Sequence, residues 1–249
     1  MALTVHQFPC LSDNYGFLAR DEATGKVATI DTPDADAILA QLAKLGWSLD
    51  LILNTHWHPD HAGGNEALKK TTGATITGPA EVTRIAPLDR VVRGGDMVML
   101  GETRFAVIDV GGHTLGHIAY HDAADHIAFV GDTLFALGCG RLFEGTPEQM
   151  WDSLARVTDL PDDTTVYCAH EYTASNARFA LSVDDDPALQ ARAEAVFAAR
   201  ARGEPTVPTT IAAEKATNPF LRAPLLRPGA ASPALAFAEI RAAKDSFKG

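Results

Sequence analysis

Residues 55–61 read Thr-His-Trp-His-Pro-Asp-His and place four side chains able to ligate a metal, His56, His58, Asp60 and His61, within six positions. Imidazole nitrogens and carboxylate oxygens suit zinc, iron and manganese. Any one of these residues alone is ordinarily a surface group or a satisfied core group. Four on one short turn have little structural use, and their spacing points to metal binding. In an extended segment His56 and His58 project to the same side. Pro59 biases His58 toward an extended backbone and suits a turn, which brings Asp60 and His61 round from a new direction. Gly63 and Gly64 remove side-chain bulk just beyond.

The elements that must position this cluster are legible around it. The apolar run Leu51-Ile52-Leu53 reads as a buried strand, so the ligands sit where a strand gives way to a loop. Further strands are expected at Tyr15–Arg20, Val27–Ile30, Leu51–Asn54, Phe105–Val110, Ile127–Gly131 and Val166–Ala169. Residues 34–45 carry Ile38, Leu39, Leu42 and Leu45 at helical spacing, a helix that covers a sheet. Two more helices are expected at Gly64–Lys70 and Pro147–Val157, the latter with proline in its opening turn. Several strands are joined too tightly for a helix, so mixed sheets with helices outside are expected rather than a purely parallel sheet. After residue 172 no strand is expected. Asp186-Pro187 opens an Ala-rich helix that Gly203 ends, and a last helix spans Pro233–Phe247.

Four ligands cannot saturate two metals, and three further candidates each follow a strand. His113 comes in Gly111-Gly112-His113 after Phe105–Val110, Asp132 after Ile127–Val130, and His170 after the strand at Val166. The C-terminal ends of strands are where α/β architectures place their sites. His117 is expected to support the ligand loop, and His6, His121 and His126 to be ordinary surface or edge residues. Cys168 lies in an apolar run and reads as a buried strand cysteine.

The order HxHxDH, then His, Asp and His, resembles the metallo-β-lactamase superfamily. Narrower features resemble glyoxalase II, the hydroxyacylglutathione hydrolase family: Asp13-Asn14-Tyr15, Gly131-Asp132-Thr133-Leu134-Phe135 with Gly138-Cys139-Gly140-Arg141, His170-Glu171-Tyr172-Thr173, Asn218-Pro219-Phe220-Leu221-Arg222, and the Arg241–Lys248 segment. The resemblance runs essentially end to end. It implies a four-layer αβ/βα sandwich with mixed sheets over residues 1–172, the catalytic domain, and an all-helical substrate-binding domain over 173–249. It implies two divalent metals, zinc first, with iron or manganese as alternatives. His56, His58 and His113 would hold one and Asp60, His61 and His170 the other, with Asp132 bridging.

The implied reaction is hydrolysis of S-(2-hydroxyacyl)glutathione, such as S-D-lactoylglutathione, to D-lactate and glutathione by a metal-bridging hydroxide, the second step of methylglyoxal detoxification. Asp60 would also orient the hydroxide. Arg141, Phe143, Tyr172, Arg241 and Lys244 are the implied substrate contacts. Position 141 is often lysine in the family and position 143 often tyrosine, so Phe143 forgoes a hydroxyl. The rival reading is a glutathione persulfide dioxygenase, which uses this fold with a single iron on His56, His113 and Asp132. Its relatives typically lack the long helical tail with the Arg-x-x-Lys segment.

Composition narrows the partners. The chain has 249 residues and a net charge of −11, which argues against nucleic acid. No apolar stretch reaches membrane-spanning length and no secretory signal is visible. Three cysteines without CxxC pairing fit a reducing, cytoplasmic setting. A monomer is expected.

Overall fold

The computed structural model describes residues 3–249 and divides into two compact units. The first runs up to Asp109 and takes in Gly116–Gly131; the second comprises Val110–Leu115 and Asp132–Gly249.

In the first unit, β1 (Leu3–Cys10), β2 (Asn14–Asp21) and β3 (Val27–Ile30) form an antiparallel meander joined by short turns. Beyond β3 the same sheet continues in parallel through β4 (Leu51–Leu53), β5 (Thr75–Gly78) and β6 (Arg90–Val91). Parallel neighbours need crossovers, and helices supply them. Between β3 and β4 runs α1 (Ala35–Leu45), capped by the Asp34 side chain, which accepts from Ala37 N–H, and ended by Gly46 at φ 66°. Its buried Ile38 and Leu42 pack with Phe8, Leu18, Val27, Ile52 and Ile76. Between β4 and β5 come the single turn α2 (Pro59–Ala62) and α3 (Asn65–Thr72). A second set, β7 (Met97–Leu100), β8 (Thr103–Asp109), β9 (Ile118–Asp122) and β10 (Ile127–Gly131), is antiparallel throughout. The mixed parallel and antiparallel pairing expected from the connection lengths is present.

The second unit opens with a tight hairpin, β11 (Leu134–Phe135) and β12 (Gly138–Cys139). Next comes α4 (Pro147–Thr158), whose Thr146 and Gln149 form a reciprocal capping box. β13 (Thr165–Cys168) precedes α5 (Thr173–Val183) and α6 (Pro187–Ala201). β14 (Thr209–Thr210), α7 (Ile211–Thr217), α8 (Ala223–Leu226) and α9 (Pro233–Ser246) complete the chain. Glu214, fully buried on α7, pairs with Arg192 of α6 and accepts from Leu137 N–H at 2.9 Å. Asn218 donates to Phe135 O and Gly138 O at 3.2 and 2.9 Å. The carboxyl-terminal helices thus pin the hairpin loop.

Two expectations are corrected. A strand does occur after residue 172: β14 pairs antiparallel with β13, but two residues carry no readable period. His121 is not a surface residue; it is 8% exposed on β9, flanked in register by Ala106 and Ala128. His6 and His126 are half-buried, as edge residues are. Cys168 is fully buried in β13, and the three cysteines are free. Among the described residues no helix is long and apolar enough to cross a membrane.

Candidate metal centre

β3 and β4 end side by side, and the loops that follow them carry the ligand candidates of the first unit. Asp31, immediately after β3, is buried at φ 59°. Its carboxylate accepts from Thr55 N–H and Thr55 Oγ1–H, both at 2.7 Å, and from His61 Nδ1 at 2.8 Å. Because Thr55 gives its proton to Asp31, its oxygen is left to accept from His56 Nδ1 at 3.1 Å. Both histidines are therefore held as the tautomer protonated on Nδ1, with an Nε2 lone pair for a metal. His56 Nε2 lies 3.0 Å from His58 Nδ1, and His61 Nε2 lies 3.5 Å from Asp60 Oδ2. Asn14 steadies Asp60 by donating to that Oδ2 at 3.0 Å. His117 stacks on the His56 ring at 4.5 Å. Gly131 makes room: at φ 50°, a Cβ there would lie 2.6 Å from Thr55 Oγ1.

Three more ligand candidates belong to the second unit. His113 Nδ1 donates to Arg141 O at 2.9 Å, which turns its Nε2 toward Asp132 Oδ2 at 3.4 Å. His170 Nε2 lies 3.3 Å from the other oxygen, Oδ1. The two oxygens of one carboxylate thus face two different imidazoles. Gly112, at φ 148°, bends the His113 loop where a Cβ would strike Met150 at 2.9 Å. His170 stacks face to face on Tyr172 at 4.7 Å.

Among the described residues, the groups that could hold a metal ion are His56, His58, Asp60 and His61 in the first unit and His113, Asp132 and His170 in the second. Two ligand atoms at tetrahedral positions about 2.0–2.2 Å from one ion stand about 3.3–3.6 Å apart. The imidazole–carboxylate separations of 3.3, 3.4 and 3.5 Å match that spacing. With Nδ1 protons tied to Thr55, Asp31 and Arg141, the donor set fits a pair of divalent cations. Asp31 was not singled out in the sequence, and Thr55 and Asn14 stood in quoted motifs without a role of their own. The strand-end rule that found Asp132 also finds Asp31, directly after Val27–Ile30.

A cavity of about 450 Å³ in the second unit is lined by His113 and Asp132 and by all five expected substrate contacts, Arg141, Phe143, Tyr172, Arg241 and Lys244. Lys244 Nζ donates to Ser175 O at 3.1 Å and sits 5.3 Å over the Phe179 ring. Burial first, and then the neighbouring cations Arg241, Arg178 and Arg141, push its pKa down to about 8. Arg241 is buried with its fork engaged: Nε and Nη2 donate to Asp245 at 3.1 and 2.7 Å, and Nη1 to Cys139 O at 3.2 Å. Phe143 is 62% exposed and meets the His113 ring edge-on at 5.2 Å.

Residues 27–170 match the family model of the metallo-beta-lactamase superfamily, and 171–247 match that of the hydroxyacylglutathione hydrolase C-terminus. A hydroxyacylglutathione hydrolase of Erythrobacter litoralis is 56% identical, with 98% of this chain and 100% of the relative covered. Another, of Maricaulis maris, is 57% identical over 98% and 99%. The chain belongs to the hydroxyacylglutathione hydrolase family.

Its fold is the metallo-β-lactamase fold with the helical carboxyl-terminal part of hydroxyacylglutathione hydrolases. Among solved structures it resembles ETHE1 from Myxococcus xanthus, with TM-score 0.67, 29% identity and 98% of each chain covered. It also resembles TTHA1623 in a di-iron-bound form, with TM-score 0.64 and 25% identity over 88% of this chain and 100% of that one. Membership of the hydroxyacylglutathione hydrolase family makes it a thioester hydrolase with His and Asp groups that fit a binuclear metal site.

Proposed function

We propose that the chain hydrolyses S-(2-hydroxyacyl)glutathione, with S-D-lactoylglutathione as the reference substrate, to a 2-hydroxy acid and glutathione. The observation that carries this reading is near-full-length similarity, at 51–57% identity, to relatives that bear the hydroxyacylglutathione hydrolase name. The functional division is a catalytic part at 1–172 and a helical substrate-binding part at 173–249, supported by the two family models meeting at 170 and 171.

The metal ligands are His56, His58 and His113 for one ion and Asp60, His61 and His170 for the other, with Asp132 between them. Zinc is the proposed occupant. The two irons of the similar TTHA1623 support a two-metal centre over a single iron. When bound, such cations lower the pKa of a coordinated water and polarise the thioester carbonyl. The protein supplies the rest. Asp31, Thr55 and the Arg141 carbonyl hold three imidazoles as ligands and keep their protons off the metal side. Asp60, steadied by Asn14, orients the attacking water and accepts its proton. The leaving thiol has an ordinary pKa near 8.5 and departs as thiolate with little protonation. Arg141, Lys244 and Arg241 surround the cavity with positive charge that suits the carboxylates of glutathione, and Tyr172 and Phe143 flank its backbone.

Lys244 gives a pH signature. Its charge is present below about pH 8 and lost as pH rises through that value. KM for the glutathione thioester is expected to climb from pH 7 to 9, where only about a tenth of the lysine stays charged. Lys244→Arg is expected to flatten the climb, since arginine stays protonated. Steady-state KM against pH for both proteins checks this. Phe143→Tyr is expected to lower KM roughly two- to twelvefold with kcat unchanged, the effect of one hydrogen bond worth about 0.5–1.5 kcal/mol.

Three buried free cysteines, with Cys10 and Cys168 pushed up to about 12 and Cys139 to about 11 by burial, support a reducing cytoplasmic setting. A monomer is proposed, with neither nucleic acid nor membrane as partner. The test is side-by-side assay of thioester hydrolysis and of oxygen uptake with glutathione persulfide. Hydrolysis alone supports the hydrolase; oxygen uptake alone overturns it in favour of the dioxygenase.

A further inference from the structure

We propose that the face of β7–β9 carrying Met97, Met99 and His121 binds a soft monovalent metal cation of the Cu(I) or Ag(I) type, held by two thioethers and one imidazole. Met97 and Met99 are two apart on a strand and so share a face. Each is 46% exposed, while the alternate Val98 and Leu100 are buried in the core. The register aligns Met97 with Ala106 and Ala106 with His121, so one row across three strands reads Met, Ala, His. Two strand spacings put the Met97 and His121 backbones about 10 Å apart, with only a methyl group between them. Register-aligned residues of neighbouring strands project to one face, so Met97 and His121 share that face of the sheet.

His121 is the second, independent observation. It is 8% exposed, and its Nε2 is buried with no hydrogen-bond partner. A buried polar atom in that condition calls for a partner from outside the chain, a water or an ion. Burial lowers the His121 pKa, so the ring is neutral near pH 7 and has a lone pair to give. The cavity over these residues measures about 580 Å³ and is also lined by Glu102, Asp122, Asp125 and Arg104. Three carboxylates against one guanidinium favour a cation. Thioethers are poor hydrogen-bond acceptors but good ligands for Cu(I)-like ions, whereas a hard cation would prefer oxygen. This cavity shares no residue with the one that carries Asp132 and Lys244.

The test uses the full chain with its divalent metals in place, labelled with methyl-¹³C methionine and titrated with silver nitrate in chloride-free buffer. The chain has four methionines, so the ε-methyl resonances are few. The Met97 and Met99 methyls are expected to shift together and saturate at one equivalent, with buried Met150 unmoved. Met97→Leu/Met99→Leu is expected to weaken that Ag(I) binding at least about tenfold while thioester hydrolysis stays at the parent level. His121→Gln is expected to weaken it as well while both methionine methyls still respond. Methyls that stay in place to about ten equivalents, or equal affinity in the double variant, would overturn the proposal.

Discussion

Replacing Asp132 by alanine is expected to lower kcat/KM for S-D-lactoylglutathione by at least about a thousandfold. That corresponds to the several kcal/mol of charge stabilisation that a catalytic cation supplies. The magnitude follows from position. Asp132 has one oxygen 3.4 Å from His113 and the other 3.3 Å from His170, so its loss removes a ligand from both proposed cations at once. Loss of a single-ion ligand such as His58 is expected to be milder. Steady-state kinetics with metal content measured on the same sample checks this. An Asp132→Ala protein that binds two cations and turns over normally would contradict the bridge.

The second large effect is expected at a residue that touches no substrate. Asp31→Asn keeps the size and the left-handed backbone that position 31 adopts, since asparagine tolerates φ near 59°. It replaces one acceptor oxygen by an N–H donor. Turned one way, that donor meets Thr55 N–H; turned the other, it meets His61 Nδ1 and Thr55 Oγ1, which both give protons to Asp31 in the parent. In either case the anchor of the His61 ring is weakened: its Nδ1 faces a neutral amide oxygen in place of a carboxylate, or a donor that favours the tautomer with a proton on Nε2. Affinity for the cation of Asp60, His61 and His170 is expected to fall about 10–100-fold, with the other cation less affected. Chelator competition on apoprotein reads this directly, and an unchanged affinity would show that Asp31 serves only the fold.

These two residues also show how far the sequence could be read. Asp132 was legible because it follows a clean apolar strand and carries ligand chemistry. Asp31 also follows a strand, but Asp31-Thr32-Pro33-Asp34 reads as a turn ahead of a helix cap, and Asp34 does cap α1. Its role appears only once β3 and β4 lie side by side and bring Thr55 and His61 to it. The long helices α1, α4, α6 and α9 were legible through periodicity and their proline or acidic starts. β14 was not, because two residues have no period. His121 lies on a strand paired on both sides, with Ala106 and Ala128 as its register partners, and that pairing comes from elsewhere in the chain, so no local pattern could announce its burial. Arg241 and Lys244 were legible only through the family resemblance. That Arg241 is engaged by Asp245, four residues on in the same helix, emerges from the structure.

A chelation cycle decides the central claim: elemental analysis and S-D-lactoylglutathione hydrolysis on one preparation before metal removal, after it and after add-back. Close to two divalent ions per chain are expected, with hydrolysis lost on removal and regained on return. Full hydrolysis by metal-free protein, or a metal-replete protein inert toward the thioester, would contradict it.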